Sequence, residues 1–474
     1  MSTVNAMATK WWTLLVVCLA VFMLLLDVTI VNVALPSIQK DLGSSFEDLQ
    51  WVVDAYALAL AAILLACGSL GDLLGRRSVF VIGLVVFSGA SLVCGLSGSP
   101  VMLNASRAVQ GAGGAMMFAN SLALIAQEFP ANERGTALGI WGATTGFAVA
   151  VGPLAGGVLT DAFGWQWIFL VNVPVGVITL ALTLMRVRDS ERDPTARIDW
   201  PGVVTFSAAL FCLVYALIRG NDDGWSSPKI VALLVAGAVL LAAFVAVELR
   251  RAQPMLDLRL FRIPTFVGAQ IVAFSIHASM FSMFLYITLY MQNILRFTPL
   301  DTGVRFLPVS LLSFLAAPIA GKLAERYPVR WFLTAGLGLI GLGLVEMHGV
   351  QPGDAWTTLL PGFILAGVGI GFVNPPLATA AIGVVEPRRS GAASGINSTA
   401  RQVGTAVGIA GLGAILQSKL SHGLGAGSLG GAPAASAYID ALNDLFLVAA
   451  AVAFVGAACA AVLIRRRDFV SAPA

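Results

Sequence analysis

Three ionisable residues stand inside long apolar stretches: Asp27 in LDVTIVNVALP (26–36), Asp54 in QWVVDAYALA and Arg107 in RAVQGAGGA. A charge in hydrocarbon costs a few kcal/mol at least, so it normally faces a cavity or a partner and marks the path of an ion or a substrate. An aspartate beside an arginine holds its proton weakly, and burial or an approaching cation changes that preference. Asp27 lies about eight residues, ~12 Å, and Arg107 about six residues, ~9 Å, inside the outer ends of their helices, so the two can pair. That pairing is the chemistry of a proton-coupling site, and a static buried ion pair is the competing reading. Asp54, a turn inside its helix end, reads either as an attractor of cations near the outer mouth of a path or as a solvated interfacial acid.

Other chemistry finds little support. The histidines, His277, His348 and His422, are far apart in sequence and belong to no metal motif. Five cysteines fall inside apolar runs without metal-ligand spacing, and read as small packing residues. No GxxxxGK[ST] occurs, and the glycines at Gly111 and Gly367 sit within apolar spans rather than after strands, so neither nucleotide fingerprint applies. A membrane enzyme and direct use of ATP are thereby disfavoured, and neither cofactor nor metal is expected.

The elements that must hold these residues follow from composition. The 474 residues are 58% hydrophobic and 11% charged, with a mean hydropathy of +0.87, too apolar for a soluble domain. The net charge of +3 resides in short loops, which gives no indication of nucleic-acid binding. At about 20 apolar residues per span, fourteen helices fit: 13–35, 50–70, 78–97, 101–126, 136–160, 166–185, 201–218, 229–248, 265–291, 303–321, 331–347, 357–383, 393–417 and 442–464. Placing the N-terminus inside puts 20 of the 28 Lys and Arg on inner segments, five on outer ones and three within spans, so both termini are expected in the cytoplasm. The first run is read as a retained helix, not a signal peptide, because Asp27 interrupts it. Two inner segments, 186–200 and 248–262, are more charged; the second reads as an interfacial helix or a solvated linker. Residues 418–441, rich in Gly, Ala and Ser, read as a flexible outer loop.

The spans repeat. At an offset of 256, Gly111, Gly113, Gly135, Ala137, Gly139, Ile140, Gly152 and Gly157 meet Gly367, Gly369, Gly391, Ala393, Gly395, Ile396, Gly408 and Gly413. At 253, GSLGDLLGRR (68–77) meets GKLAERYPVR (321–330). Spans 1–6 therefore correspond to 9–14, with 7 and 8 inserted. The expected division is a first six-helix bundle (1–186), a segment of linkers and inserted helices (187–263) and a second bundle (264–474). Repeated halves around a midplane site are a transporter architecture.

With the spans placed, LDVTIVNVALP, GSLGDLLGRR, RAVQGAGGA and GFAVAVGPLAGG (146–157), followed by WQWIFLVNVPVG (165–176), resemble signatures of the major facilitator superfamily and of its fourteen-helix drug:proton antiporters. The resemblance covers both halves. It implies an all-α polytopic fold of two six-helix bundles plus two extra helices, and a non-enzymatic, proton-coupled exporter of amphipathic, cationic compounds working by alternating access. It further implies a monomer in the cell membrane, with lipid, protons and small amphipathic substrates as its partners. A dedicated exporter of one endogenous metabolite, such as an antibiotic or siderophore, is the alternative.

Residue by residue, the resemblance gives Arg107 a proton-transfer role and makes Gly68, Asp72, Gly75, Arg76 and Arg77 a conformational latch, with Arg134 a candidate partner. The second-half copy has Glu325 for the acid and Pro328 for the second glycine. The acid at Asp54 resembles exporters of lipophilic cations. Gly146, Gly152, Pro153, Gly156 and Gly157 form the antiporter helix. Small residues let that helix approach a neighbour closely, and Pro153 removes a backbone donor and bends it.

Overall fold

A computed structural model describes residues 3–129, 131–188, 199–251, 258–324, 326–385, 390–423 and 432–469. The described residues form fourteen rods: α1 Thr3–Leu42, α2 Phe46–Leu74, α3 Arg76–Gly95, α4 Pro100–Glu128, α5 Ala131–Phe163, α6 Trp167–Arg186, α7 Trp200–Asp223, α8 Pro228–Arg250, α9 Pro264–Ile294, α10 Pro299–Ala324, α11 Val329–Glu346, α12 Trp356–Ile382, α13 Ser390–Gly423 and α14 Ala432–Leu463. Twelve segments among the described residues are long and apolar enough to cross a membrane. The remaining two rods, α2 with 29 residues and α5 with 33, exceed the ~20 that a bilayer requires.

Helix starts are written locally. Ser99–Pro100, Ser227–Pro228 and Thr298–Pro299 each set a hydroxyl cap before a proline whose missing N–H is harmless in the first turn. Ser45 and Asp48 form a reciprocal capping box that starts α2 at Phe46, four residues earlier than apolar counting places it. Gly75, at φ 94°, makes the one-residue turn from α2 to α3; few other residues tolerate that backbone.

Two stretches differ from the sequence reading. The low-complexity region is helical at both ends, since α13 runs to Gly423 and α14 begins at Ala432, while 424–431 lie outside the described residues. Alanine and serine there carry enough helix propensity to extend flanking helices beyond their apolar centres. In the second charged linker, Leu258–Arg262 form a short 3-10 turn rather than an amphipathic interfacial helix, and 252–257 lie outside the described residues.

The repeat is visible in the packing. A Cβ on Gly113 would meet Phe87 N at 2.5 Å on α3, and one on Gly369 would meet Gly336 O at 2.6 Å on α11. Gly111 approaches α2 at Tyr56, and its counterpart Gly367 approaches α10 at Val309. Gly152 rests on Thr29 of α1, and Gly408 on Ala278 and Ser282 of α9. The same small residues thus hold the same neighbours in each half.

Two seams join the halves. In one, α5 meets α10: a Cβ on Gly157 would lie 2.7 Å from Pro299 O, and Gly303 backs onto Pro153 O. In the other, α2 meets α13 through Ala57, Leu58 and Ala61 against Ala406 and Ala410. The inserted α7 lies over this second seam with Leu210, Val214 and Ile218, and Asn221 donates to Ala414 O. Beyond it, α8 turns apolar side chains outward, Val239 at 61% and Leu249 at 70% exposed, as a helix facing hydrocarbon does.

Candidate functional site

Asp27, fully buried on α1, receives donors from two other helices. Arg107 Nη1 on α4 donates to its Oδ2 at 2.5 Å, Gln110 Nε2 to its Oδ1 at 2.8 Å and Asn172 Nδ2 on α6 to the same oxygen at 3.1 Å. Gln110 also accepts from Arg107 Nη1 at 2.7 Å and donates to Ser91 Oγ on α3 at 2.7 Å. Arg107 Nε donates to Val52 O on α2 at 2.9 Å, and its guanidinium lies 4.3 Å from the Tyr56 ring centroid. Every charge here has a partner, which is the condition for holding a carboxylate and a guanidinium in a dry interior. Five helices thus meet in one network around this carboxylate.

The sequence reading paired Asp27 with Arg107 but missed Gln110, Asn172 and Ser91. Gln110 falls one turn after Arg107, so helical spacing could have found it; Asn172 is the amide that stands within the apolar run of WQWIFLVNVPVG. Ser91 carries no such signal.

Asp54 sits differently from its expected place near a solvated mouth. It is 0% exposed, and among the described residues neither carboxylate oxygen has a hydrogen-bond partner. The early start of α2 draws it inward, and the seam with α13 covers it. One turn away, Gln50 Nε2 donates to Ile409 O at 3.3 Å, and Tyr286 OH on α9 donates to the same carbonyl at 2.5 Å. Asp54 is therefore not brought together with Asp27; it belongs to the seam between the halves.

On α5, a Cβ at Gly156 would come within 2.7 Å of Ile30 O, while Gly152 and Gly157 press on α1 and α10. Pro153 lines a cavity of about 30 Å³ between the halves with Thr29, Asn32, Phe281, Phe284 and Ser313, room for one or two waters. In the loop motif, Gly68 has open space, Arg76 Nη1 donates to Ala123 O at 3.4 Å and Arg77 Nη2 to Leu184 O at 2.7 Å. Both arginines thus reach carbonyls near the C-terminal ends of helices in their own half, the ends that favour cations. The side chains of Asp72 and Arg134, like Gly146, lie outside the described residues, as does Glu325. Pro328, at the place of Gly75, leads into α11 with an ordinary φ of −56°.

The model of the Major Facilitator Superfamily matches residues 17–409. The chain belongs to this superfamily. It is accordingly a multi-pass membrane transporter and not an enzyme. It is 38% identical over 414 residues to the multidrug resistance protein Stp of Mycobacterium tuberculosis, covering 87% of this chain and 77% of that one. To the tetracenomycin C resistance and export protein of Streptomyces glaucescens it is 34% identical, over 86% and 76% of the two chains. Its fold is similar to the solved structure of a bacterial homologue of the human lysosomal transporter Spinster, with a TM-score of 0.65 over 98% of this chain and 99% of that one. At 17% identity that likeness carries the fold alone.

Proposed function

We propose that this transporter is a proton-driven antiporter of the cell membrane that exports amphipathic, cationic drugs or toxic compounds by alternating access, as a monomer. The observation that carries this reading is the Asp27 carboxylate, buried among Arg107, Gln110 and Asn172. A protonatable group tied to four other helices couples proton arrival to helix rearrangement. The names of the relatives supply the substrate class, drugs and antibiotics. The bundles 1–186 and 264–474 are the moving bodies, with 187–263 linking them.

With both termini cytoplasmic, the face where α1 ends and α2 begins is external, so the α5–α10 and α2–α13 seams close the outer side and part when the pump opens outward. Asp54, lying in the second seam, becomes accessible on opening and attracts cationic substrates. The loop residues Asp72, Arg76 and Arg77, with Arg134, latch the inner side. Gly146, Gly152, Pro153, Gly156 and Gly157 keep α5 close enough to its neighbours to limit leak.

In inverted vesicles, a cationic dye should accumulate when the proton gradient is imposed and leak away when a protonophore collapses it. Accumulation that survives collapse of the gradient would remove proton coupling.

A second reading, a dedicated exporter of one metabolite, is favoured by the relative named for tetracenomycin C resistance and export. The resistance profile on deletion and overexpression separates the two: many unrelated compounds for a multidrug pump, one for a dedicated exporter.

A further inference from the structure

Three arginines on the helices pair with acids on their own or another helix. Arg107 pairs with Asp27, Arg219 with Glu47 and Asp223, and Arg305 with Asp301. Arg401, on α13, bonds through Nε to the neutral amide oxygen of Asn397 at 3.3 Å, and among the described residues no carboxylate pairs with it. It lies 11 residues from Ser390 and 22 from Gly423, about 16 Å from the nearer end of a helix rising ~1.5 Å per residue. The apolar span of that helix begins at Gly395, six residues or ~9 Å from Arg401.

What surrounds Arg401 is fixed and polar. Asn397 donates to Gln270 Oε1 at 3.2 Å, and Thr405, one turn on, meets His277 Nδ1 of α9 at 3.1 Å. The backbone of α9 widens into a π-turn over His277–Phe281, a deformation that concentrates at functional sites. The His277 ring lies parallel to Phe281, 4.4 Å between centroids and 7° between planes. Phe281 in turn lines the cavity between the halves. Arg401 and His277 are both half-buried. Arg401, with no carboxylate partner among the described residues, thus lies one turn from Thr405, whose hydroxyl meets the His277 ring of a stack that reaches the cavity through Phe281.

We propose that Arg401 binds the acidic oxygen group, a carboxylate, phenolate or enolate, of aromatic substrates crossing between the halves, while the His277–Phe281 stack receives the ring. The proposal rests on the export reading above and extends its substrates from cations to aromatic acids, bound at a place distinct from Asp54. A planar guanidinium offers two parallel donors to such a group, which a lysine offers only as a point charge. The site then discriminates acids from neutral isosteres, because a neutral isostere leaves the guanidinium without a counter-charge.

The test uses the full chain in nanodiscs and in cells, with fluorescein, 1-naphthoate and salicylate as acidic probes and 1-naphthamide as the neutral one. Wild-type protein should bind at least one acid saturably. Arg401→Gln should weaken that binding and its export about tenfold or more, the scale of a lost charge-assisted pair, leaving 1-naphthamide export within about twofold. Arg401→Lys should retain part of the acid binding. Wild-type protein that exports 1-naphthamide but binds none of the acids would overturn the proposal and leave the export reading standing. So would equal loss of acid and neutral export in Arg401→Gln, which marks a structural or coupling role. Absence of gradient-driven export of every compound by the wild type counts against the export reading instead; the nanodisc binding still decides for or against Arg401.

Discussion

The two halves share a scaffold and differ in what they enclose. Gly113 and Gly369 hold equivalent helix pairs together, as do Gly152 and Gly408. Yet at the offset of 256 that relates α4 to α12, Arg107 and Gln110 correspond to Phe363 and Ala366, both fully buried. At the offset of 253 that brings Thr29 onto Ser282, Asp27 corresponds to Met280, also fully buried. One bundle therefore closes the same position with an ion pair and amides, the other with apolar side chains. An apolar core needs no partners, whereas a buried pair is weak evidence for stability and needs every partner present. The ion pair is thus confined to the first half; the second half fills these positions with apolar side chains and carries its polar cluster elsewhere, around Arg401.

The largest effect should come from erasing that difference. Asp27→Asn keeps the side-chain shape but removes the titrating group, and should stop gradient-driven efflux of every substrate, charged or neutral. Arg107→Phe, which installs the second half's residue, leaves Asp27 buried without its cation and should destabilise the fold by ~3–5 kcal/mol. Adding Asp27→Met to Arg107→Phe should restore thermal stability in detergent while efflux stays absent. A double variant that still pumps against a collapsed control would move coupling out of the first half.

A second large effect tests the shared scaffold where it departs from symmetry. Gly156 corresponds at the same offset to Leu412, so one half accepts a large side chain where the other admits only hydrogen. With Ile30 O 2.7 Å from a Cβ there, Gly156→Leu should separate α5 from α1 and abolish efflux, and Gly156→Ala should retain a larger share. Equal activity of the two variants in dye efflux at matched expression would show that close approach at this face is not needed.

Much of this was legible from the chain. Apolar run length places the rods, the two offsets give the halves, and Asp27 and Arg107 stand out because charge is rare in hydrocarbon. Less was legible where burial depends on neighbours distant in sequence. Asp54 looks interfacial from its distance to an apolar boundary, but Ser45 and Asp48 start the helix earlier and α13 covers it. Gln110 and Asn172 are ordinary amides until the fold points both at one carboxylate. The position of α7 over one seam and not the other has no sequence signature, since hydropathy reports that a helix is in the membrane and not what it leans on.

A moderate effect should distinguish the two acids. Asp54 lies in the seam rather than in the network, so Asp54→Asn should impair export of cations and spare neutral compounds. Opposite charges in a partly wet gap interact by on the order of 1 kcal/mol, about several-fold in affinity, with dications affected most. Efflux of ethidium, a dicationic biocide and a neutral drug from cells at matched expression reads this directly. Equal loss for all three would make Asp54 a second proton site and not a recognition residue.

The smallest effect sharpens the contrast between the seams themselves. Where α5 meets α10 the contact is backbone on backbone, with Gly157 and Gly303 as the small residues. Where α2 meets α13 a hydrogen bond crosses, from Gln50 to Ile409 O, a carbonyl that Tyr286 of the second half's own α9 also holds. A net hydrogen bond contributes about 0.5–1.5 kcal/mol. Removing it with Gln50→Leu should therefore shift the closed–open equilibrium of that seam by about two- to twelvefold, without unfolding either half. The thiol introduced by Ala410→Cys, fully buried at this seam, should label correspondingly faster from outside in a background lacking the native cysteines. A thiol placed by Leu300→Cys at the other seam reads whether the two open together: equal acceleration at both means the halves rock as rigid bodies, whereas acceleration at the α2–α13 seam alone means that it yields independently beneath α7.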